Sequence, residues 1–239
     1  MTEHSTRNTY VINDRVCLTK YPNRQQNGTR PSSLFETTHH AHTAGGCTIQ
    51  VGKLEFTGSP LKRIDFGCGT SKKAGFIGVD SLLLPNVDVI QDLNVYPYPF
   101  RDSDIDEVWM DNVLEHLDKP LRAMEEVWRI SKHGAKVKVA VPYFRSFYAT
   151  IDPTHEHFFG VQWFNYFDPR HPLCAKYRYT TARFEIESII FDREWDNAPK
   201  TLLHRIVRAL AQKRPFAYEA RLSHLYPLNS LTFYLKVIK

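Results

Sequence analysis

The chain has 239 residues, 42% of them hydrophobic, which is enough for one domain with a sizeable core. Its 31 lysines and arginines outnumber 26 acids, and the net charge of +5 is compatible with an anionic substrate or a nucleic acid but too small to choose between them. The four cysteines form no C-x-x-C pair, which argues against a disulfide framework, and no apolar leader or membrane-length apolar stretch is present. We therefore expect a cytoplasmic protein that does not enter a membrane.

Residues 1–45 are polar and irregular, with an Asn-Gly pair and three histidines at 39, 40 and 42. They contain no long helical or strand period, so we expect a flexible arm with short ordered pieces, followed by a single domain over residues 46–239. The three histidines could bind a metal or a phosphate, but a loosely packed arm is the simpler interpretation. Residues 48–56 alternate enough to predict a short strand that leads into the domain.

Two glycines follow the next predicted strand, in the run Ile64-Asp-Phe-Gly-Cys-Gly69. Gly67 and Gly69 allow backbone angles and a close ligand approach that a side chain would block. A second strand, residues 76–79, ends at Asp80, whose carboxylate can accept hydrogen bonds from both hydroxyls of a ribose. Asp80 follows Gly69 by only eleven residues, so a full crossover helix barely fits and the G-x-G-x-x-G dinucleotide fingerprint is not met. The pattern predicts a nucleoside site at the edge of a parallel sheet.

Three further strands are predicted, at residues 87–94, 106–110 and 136–141. Asp92 lies at the end of the first of these strands. An apolar stripe at i, i+4, i+7 and i+11 predicts a helix that packs on the sheet, and its members are Leu117, Leu121, Met124 and Trp128.

The D-x-G-x-G run at 65–69, the acid at position 80 and the N-V-L-E-H-L run at 112–117 together resemble the class I S-adenosylmethionine-dependent methyltransferases. The resemblance implies an α/β, Rossmann-like fold with a mostly parallel seven-stranded sheet and an antiparallel C-terminal strand. It also implies an enzyme with S-adenosyl-L-methionine as cofactor, over which the arm would act as a lid. The implied cofactor contacts are Asp65, Gly67, Cys68, Gly69, Asp80 at the ribose, Asp92 and Leu93 at the adenine, and Asn112 beside the sulfonium.

Two departures from the family pattern concern loops. Ser71 replaces the usual third glycine, and residues 131–135 read S-K-H-G-A where the family has L-K-P-G-G. The first departure predicts a stiffer cofactor loop without a helix N-terminus facing the ligand.

A second resemblance lies in the D-P-T-H-E-H-F-F run at 152–159 and the W-F-N-Y-F run at 163–167, which look like a small bacterial subgroup of these methyltransferases. We expect an acceptor-site insertion at about residues 143–180, over the carboxyl ends of the fourth and fifth strands. Its aromatic residues predict a small aromatic or apolar metabolite, methylated on oxygen or nitrogen, although half of them could merely fill the core. The predicted acceptor contacts are Tyr148, Phe158, Phe159 and Trp163.

Asp152, His155 and His157 are the polar groups of this aromatic segment. On an extended chain both imidazoles point to one side, and the carboxylate could orient one of them as a general base. A metal pair and structural hydrogen bonding remain open, and no residue is assigned to a metal. Tyr143 or Tyr148 would carry the reaction otherwise.

Two other groups near the glycine loop and the following helix have structural interpretations. Cys68 is predicted to be a packing residue rather than a nucleophile. For Glu115 and His116, we favour a structural hydrogen bond over catalysis.

A basic cluster on a predicted C-terminal helix is interpreted as a solvated face, with Leu203, Ile206, Val207 and Leu210 opposite it. Its members are Arg205, Arg208, Lys213 and Arg214. Two alternatives remain: a methyltransferase that acts on RNA or protein, with this cluster contacting the polymer, and a non-catalytic protein that binds S-adenosylmethionine. A nucleic-acid partner is not expected, and the sequence does not predict an oligomeric state.

Overall fold

The computed structural model describes residues 7–12, 15–20, 61–192 and 201–239. Two compact units are present, Met1–Gly52 and Lys53–Lys239. The first contains an antiparallel hairpin of β1 (Arg7–Ile12) and β2 (Arg15–Lys20), where the sequence pattern had specified no element. The strand predicted at 48–56 and the histidines at 39, 40 and 42 lie outside the described residues.

The second unit is built on a seven-stranded sheet with the order β5-β4-β3-β6-β7-β9-β8. Strands β3 to β7 are parallel, and β9 runs antiparallel to both β7 and β8. The strands are β3 (Arg63–Phe66), β4 (Ile77–Asp80), β5 (Val89–Ile90), β6 (Ile105–Asp111), β7 (Ser131–Pro142), β8 (Arg183–Phe191) and β9 (Ser230–Ile238). The predicted mostly parallel sheet with an antiparallel C-terminal strand is confirmed. The chain leaves β3 towards one edge and returns beside it as β6, which makes the β3/β6 boundary the place where such sheets bind ligands.

The strand predicted at 87–94 is much shorter than the pattern indicated, because only Val89 and Ile90 pair with β4. The preceding residue, Asp88, uses its carboxylate to accept the backbone N–H of Gly78, and residues 92–95 form a turn. The link between β3 and β4 contains turns and no helix, as its length predicted.

A short 3-10 helix, Leu114–His116, precedes α1 (Pro120–Ile130). The prediction that one helix runs through Leu117 was wrong, because Leu117 is extended and Pro120, which has no N–H to give, starts the helix. Met124 of the predicted stripe is fully buried against the sheet. The remaining helices are α2 (Tyr148–Ile151), a 3-10 helix at Trp163–Tyr166, α3 (Pro172–Tyr177), α4 (Leu202–Lys213) and α5 (Pro215–Arg221).

The C-terminal helix α4 buries only part of the apolar face that the sequence suggested, since of its four members only Val207 packs against the core. Its buried side chains are His204 and Ala211, whereas Leu203, Ile206 and Leu210 are at least half exposed. The reason is polar anchoring: Gln212 donates to the carbonyl of Ile189 in β8 and thereby fixes which side of the helix meets the sheet. In the described part of the chain, no helix combines the length and apolarity needed to cross a membrane.

A buried ion pair fixes the loop between β5 and β6 to helix α1. Glu126, 3% exposed, accepts the backbone N–H of Tyr98 and pairs with Arg129, which also donates to the carbonyls of Tyr98 and Phe100. Burial opposes ionisation of Glu126, but the Arg129 and backbone hydrogen bonds outweigh it and hold the pKa of the carboxyl below its usual value. The aromatic rings of Tyr98 and Phe100 consequently stay packed on Phe66 in β3.

Removing this carboxylate should be much more damaging than removing its neighbour. We expect Glu126→Ala to lower the free energy of unfolding by about 3–5 kcal/mol, since it leaves Arg129 without its buried partner. Glu125→Ala is the matched control: Glu125 pairs with Arg122 at the surface, where a salt bridge contributes less than about 1 kcal/mol. Urea unfolding at pH 7 measures both, and equal losses would contradict the assignment. Because the folded pKa is lowered, the difference should shrink as the pH falls below 4.5, the pKa of a free glutamate.

Candidate functional site

A cleft of about 310 Å³ opens at the carboxyl ends of β3, β4 and β6, at the point where the strand order reverses. Its volume is at the small end of the range for ligand pockets. The lining side chains combine acids and amides with an apolar floor: Gly67, Asp80, Ser81, Asp92, Leu93, Asn94, Asn112, Val113, His116 and Leu117.

The glycine loop is held tightly against the strand ends. Gly67 has a φ of +64°, and a Cβ at this position would lie 2.3 Å from the Cγ2 atom of Val113. No other residue therefore fits between β3 and the loop after β6. The Gly67 N–H donates to the carbonyl of Val79 at 2.7 Å, which ties the loop to β4 as well.

Asp80 ends β4 and lines the cleft, as predicted for a ribose contact. One carboxylate oxygen accepts the N–H of Gly69 at 2.9 Å, and the other accepts the N–H of Leu82 at 3.0 Å. Each oxygen has a second lone pair, so the carboxylate is oriented by the backbone and can still accept hydrogen bonds from a ligand.

Asp65 and Cys68, two predicted cofactor contacts, lie beneath the loop rather than in the cleft. Asp65 is buried and accepts the N–H of Lys73, and burial raises the pKa of its carboxyl. Burial also raises the pKa of the Cys68 thiol to about 11, with the negative charge of Asp65 adding to it. The thiol is therefore protonated at neutral pH, which fits the packing role predicted for it.

Asp92, Leu93 and Asn112 all reach the same cleft. Asp92 is exposed and accepts the N–H of Asn94, while Leu93 is buried and offers an apolar surface. Asn112 has a φ of +55°, and its N–H bonds to the carbonyl of Ala140 in β7, so its side chain stands at the end of β6.

His116 marks the end of the cleft where the segment 152–157 crosses it. The carbonyl of Glu115 accepts the N–H groups of Glu156 and His157, at 2.9 and 3.3 Å. His116 Nδ1 lies 2.9 Å from the hydroxyl of Thr154. The aromatic insertion is therefore docked by its backbone onto the turn that follows β6.

The tautomer of His116 is fixed by this contact. Thr154 donates its single hydroxyl proton to Asp152 at 2.7 Å. Hydrogen bonds from the hydroxyl and the N–H of Thr154 hold the pKa of the Asp152 carboxyl below its usual value. The threonine oxygen must consequently accept from His116, so the imidazole carries its proton on Nδ1. The structural hydrogen bond predicted for His116 is thus present, and it leaves Nε2 with a free lone pair.

His155 has the same tautomer for the same kind of reason. Its Nδ1 lies 3.1 Å from the carbonyl of Ala149, which can only accept, so Nδ1 donates and Nε2 remains free. The rings of His155 and His116 meet edge to face with centroids 4.7 Å apart.

Glu115 completes this group. Its side chain is 1% exposed, and its carboxylate makes no hydrogen bond to another residue among those the structure describes. Burial, with a smaller contribution from the negative charge of Asp152, raises the pKa of Glu115 to about 8. Ligand-capable atoms of Glu115, His116 and His155 all lie within 4.8 Å of one another.

The expectation that the imidazoles of His155 and His157 point to one side of the segment stays a prediction. His157 is absent from this group, and its buried Nε2 has no hydrogen-bond partner in the described residues. Residues 155–158 form no regular strand, although His155 and His157 are half-buried and Glu156 and Phe158 are exposed.

The predicted aromatic residues divide between core and surface. Tyr143 and Phe159 are fully buried, and burial raises the pKa of the Tyr143 hydroxyl to about 12. A catalytic role for Tyr143 and an acceptor contact by Phe159 are therefore not supported. Trp163 is half-buried against Phe159, Tyr148 is half-buried, and Phe158 is 56% exposed.

Sequence reasoning missed the cleft positions Ser81, Asn94, Val113 and Leu117, and it underrated His116. The signal for His116 was its place immediately after a strand-end motif, four residues beyond Asn112. Its partner, His155, is 39 positions away, and only the fold reveals that the two meet.

Residues 64–139 match the family described as a methyltransferase domain. The matched stretch, about a third of the chain, is therefore similar to a methyltransferase domain. The match begins within β3 and ends within β7, so it contains the whole cleft, where the sequence resemblance implies an S-adenosylmethionine cofactor. The cleft fits such a cofactor, because it places an oriented carboxylate, an apolar floor and an amide at successive strand ends.

Several solved structures match this chain in fold. They include a SAM-dependent methyltransferase from Archaeoglobus fulgidus, 20% identical over 79% of this chain and 89% of that one, with a TM-score of 0.42. Another is from Mesorhizobium loti, 15% identical over 74% and 90%, with a TM-score of 0.43. The [4+2]-cyclase SpnF is 16% identical over 74% of each chain, also with a TM-score of 0.43. No curated protein sequence matches this chain significantly.

Replacing Asp80 tests the cofactor end of the cleft. We expect Asp80→Ala to weaken S-adenosylmethionine binding by about 2–3 kcal/mol, or roughly 30- to 160-fold in Kd, because the ribose hydroxyls lose charge-assisted hydrogen bonds. Asp104→Ala is the control, since Asp104 pairs with Lys62 outside the cleft. Calorimetric titration measures both proteins, and an unchanged Kd for Asp80→Ala would refute the ribose assignment.

The raised pKa of Cys68 makes a second prediction. At pH 7.5, Cys68 of the folded protein should be alkylated slowly, since the reactive thiolate is scarce below pH 11. The Cys68→Ala variant should retain cofactor affinity within about twofold. Peptide mapping by mass spectrometry follows the alkylation. Rapid modification of Cys68 in the folded state would show that the thiol is neither buried nor protonated.

Proposed function

We propose that the protein transfers a methyl group from S-adenosylmethionine to an oxygen or nitrogen of a small aromatic or apolar metabolite in a reducing cytoplasm. The observation that carries the proposal is the arrangement of the cleft, whose polar strand ends lie directly beside an aromatic segment docked over His116. The cofactor end and the acceptor end are thereby adjacent. The free thiols of Cys68 and Cys174 accord with a reducing compartment.

The cofactor would lie along the strand ends in a fixed direction. Asp80 would accept the ribose hydroxyls, with Asp92 and Leu93 at the adenine. Asn112 and the backbone of Gly67 would hold the methionine portion, which places the sulfonium near Asn112. His116 lies in the turn that follows Asn112, and it would therefore face the side of the cleft from which an acceptor approaches.

Methyl transfer needs positioning more than it needs an activated protein group. S-adenosylmethionine supplies an electrophilic methyl carbon on a sulfonium. The residues of the cleft and of segment 147–163 would align an acceptor atom with that carbon and exclude water. The acceptor's oxygen or nitrogen forms the new bond, the carbon–sulfur bond breaks with its electron pair left on sulfur, and the acceptor loses a proton.

Exposed apolar side chains favour a small, partly apolar acceptor. Phe147, Ile151 and Phe158 are each more than half exposed and lie within segment 147–163, which docks on the turn after β6. Such clusters are uncommon on a free surface and are typical of places where a ligand or partner binds. Arg145, beside the ring of Phe144, adds a positive charge to this segment and would suit an acceptor with an anionic group.

The proposed activity is tested by following the methyl group. Titration with S-adenosylmethionine and its demethylated product should give saturable binding, and a radiolabelled methyl donor should label a small-molecule fraction of a cell extract. Asp80→Ala should lose most of that label. Label in RNA or protein would favour a polymer substrate, and binding without transfer to any fraction would favour a non-catalytic binding protein.

Salt dependence separates the two substrate classes. For a small acceptor we expect the transfer rate to change by less than about twofold between 50 and 200 mM salt, because few charges are neutralised on binding. A protein making 6–10 phosphate contacts loses about 10³- to 10⁵-fold in affinity over that range. A steep loss that Arg205→Ala together with Arg214→Ala relieves would place a nucleic acid on helix α4.

A further inference from the structure

We propose that Glu115, His116 and His155 form a binding site for a divalent transition-metal ion beside the cofactor cleft. Two imidazoles and one carboxylate are a ligand set that zinc, iron(II) and manganese(II) take in proteins. The three residues come from two separate segments, the turn after β6 and the insertion that crosses it. The site itself does not depend on the proposed function.

The geometry of the three ligand atoms is close to that of a metal complex. All of them lie within 4.8 Å of one another. Even with every separation at that limit, the centre of the triangle would be about 2.8 Å from each atom, against about 2.0–2.2 Å in a zinc complex. Movements of each side chain by less than about 1 Å would close the difference.

Both imidazoles are already prepared as ligands. Thr154 accepts the Nδ1 proton of His116, and the carbonyl of Ala149 accepts that of His155. In each ring the free lone pair is therefore on Nε2. A hydrogen bond from the non-ligating nitrogen to a carbonyl, or through a hydroxyl to a carboxylate, is the arrangement that orients histidines around metal ions.

The carboxylate provides the independent reason to expect a cation. Glu115 is 99% buried, and among the residues that the structure describes its carboxylate oxygens have no partner outside their own residue. The charged group acting on it, Asp152, is also negative. Burying such a group costs free energy unless a cation or a proton compensates it. A divalent ion between Glu115 and the two Nε2 atoms would satisfy the carboxylate.

A metal ion here would bear on the acceptor, and this step rests on the proposed function. His116 lines the cleft next to Asn112, so the open coordination positions of the ion would face the acceptor side. Coordination of an acceptor hydroxyl lowers its pKa, and the proton then leaves to solvent before the oxygen attacks the methyl carbon. His155 would then bind the ion rather than act as a general base.

Metal binding to the full chain tests the site directly. The protein is stripped with a chelator, dialysed, and titrated with Zn²⁺, Mn²⁺ and Fe²⁺, with Mg²⁺ as a hard-ion comparison. We expect one tight transition-metal ion per chain, and a rise in Kd of at least 100-fold in each of Glu115→Gln, His116→Gln and His155→Gln. Asp152→Asn, which acts through Thr154, should raise Kd by about 10- to 100-fold.

His157→Gln is the matched control, because His157 lies in the same segment but outside the group. Its Kd should stay within threefold of the wild type. An equal loss in His157→Gln, or an unchanged Kd in the three ligand variants, would overturn the assignment. So would the absence of tight binding by all three transition metals in a chain that circular dichroism shows to be folded.

X-ray absorption at the zinc edge of the wild-type protein tests the site without any variant, so the test still decides if a variant fails to fold. The zinc-loaded wild type should show two imidazole ligands with oxygen and no sulfur, whereas sulfur scattering would move the ion to a cysteine and refute the site. The two proposals also fail separately. Undiminished turnover in a metal-free chain would remove only the metal's role in the reaction, and metal binding without any methyl transfer would remove only the proposed function.

Discussion

The contact between Gly67 and Val113 is the constraint on which the cofactor cleft depends. A side chain at position 67 would collide with Val113, so the loop after β3 and the loop after β6 approach as closely as two backbones with one side chain between them can. The same glycine donates its N–H to β4, and Gly69 orients Asp80. Three strand ends are thus fixed to one another before any ligand binds, which reduces the ordering cost that binding must overcome.

Parts of this arrangement follow from local sequence, and parts do not. The glycine pair, the acids after β4 and β5, and the asparagine after β6 were predictable, because each follows its strand directly and parallel strands end at one edge. The length of β5 was not predictable, because Asp88 uses its side chain in place of a backbone ladder bond. The start of α1 was misplaced because the apolar period continues through Leu117, although Pro120 fixes the true first turn.

The group at Glu115, His116 and His155 was beyond sequence reasoning for a different reason. His155 is 39 or 40 positions from the other two members, and the contact depends on the Glu115 carbonyl, which accepts two N–H groups from segment 152–157. That segment is positioned by this docking and not by strand pairing, so spacing along the chain could not reveal that His155 meets His116. The cofactor cleft and the aromatic insertion therefore both contact the turn after β6, and a structural change at either end of that turn would affect both.

The two outer strands of the sheet differ in how they avoid pairing with another chain. Strand β5 has only two residues and so offers little to pair with. Strand β8 has nine, but side chains occupy its outer backbone groups: Asp168 accepts from Ile186, Arg170 donates to the carbonyl of the same residue, and Gln212 contacts Ile189. Extending the sheet across β8 would require these bonds to break, which gives a long, aromatic-rich edge strand built-in resistance to aggregation.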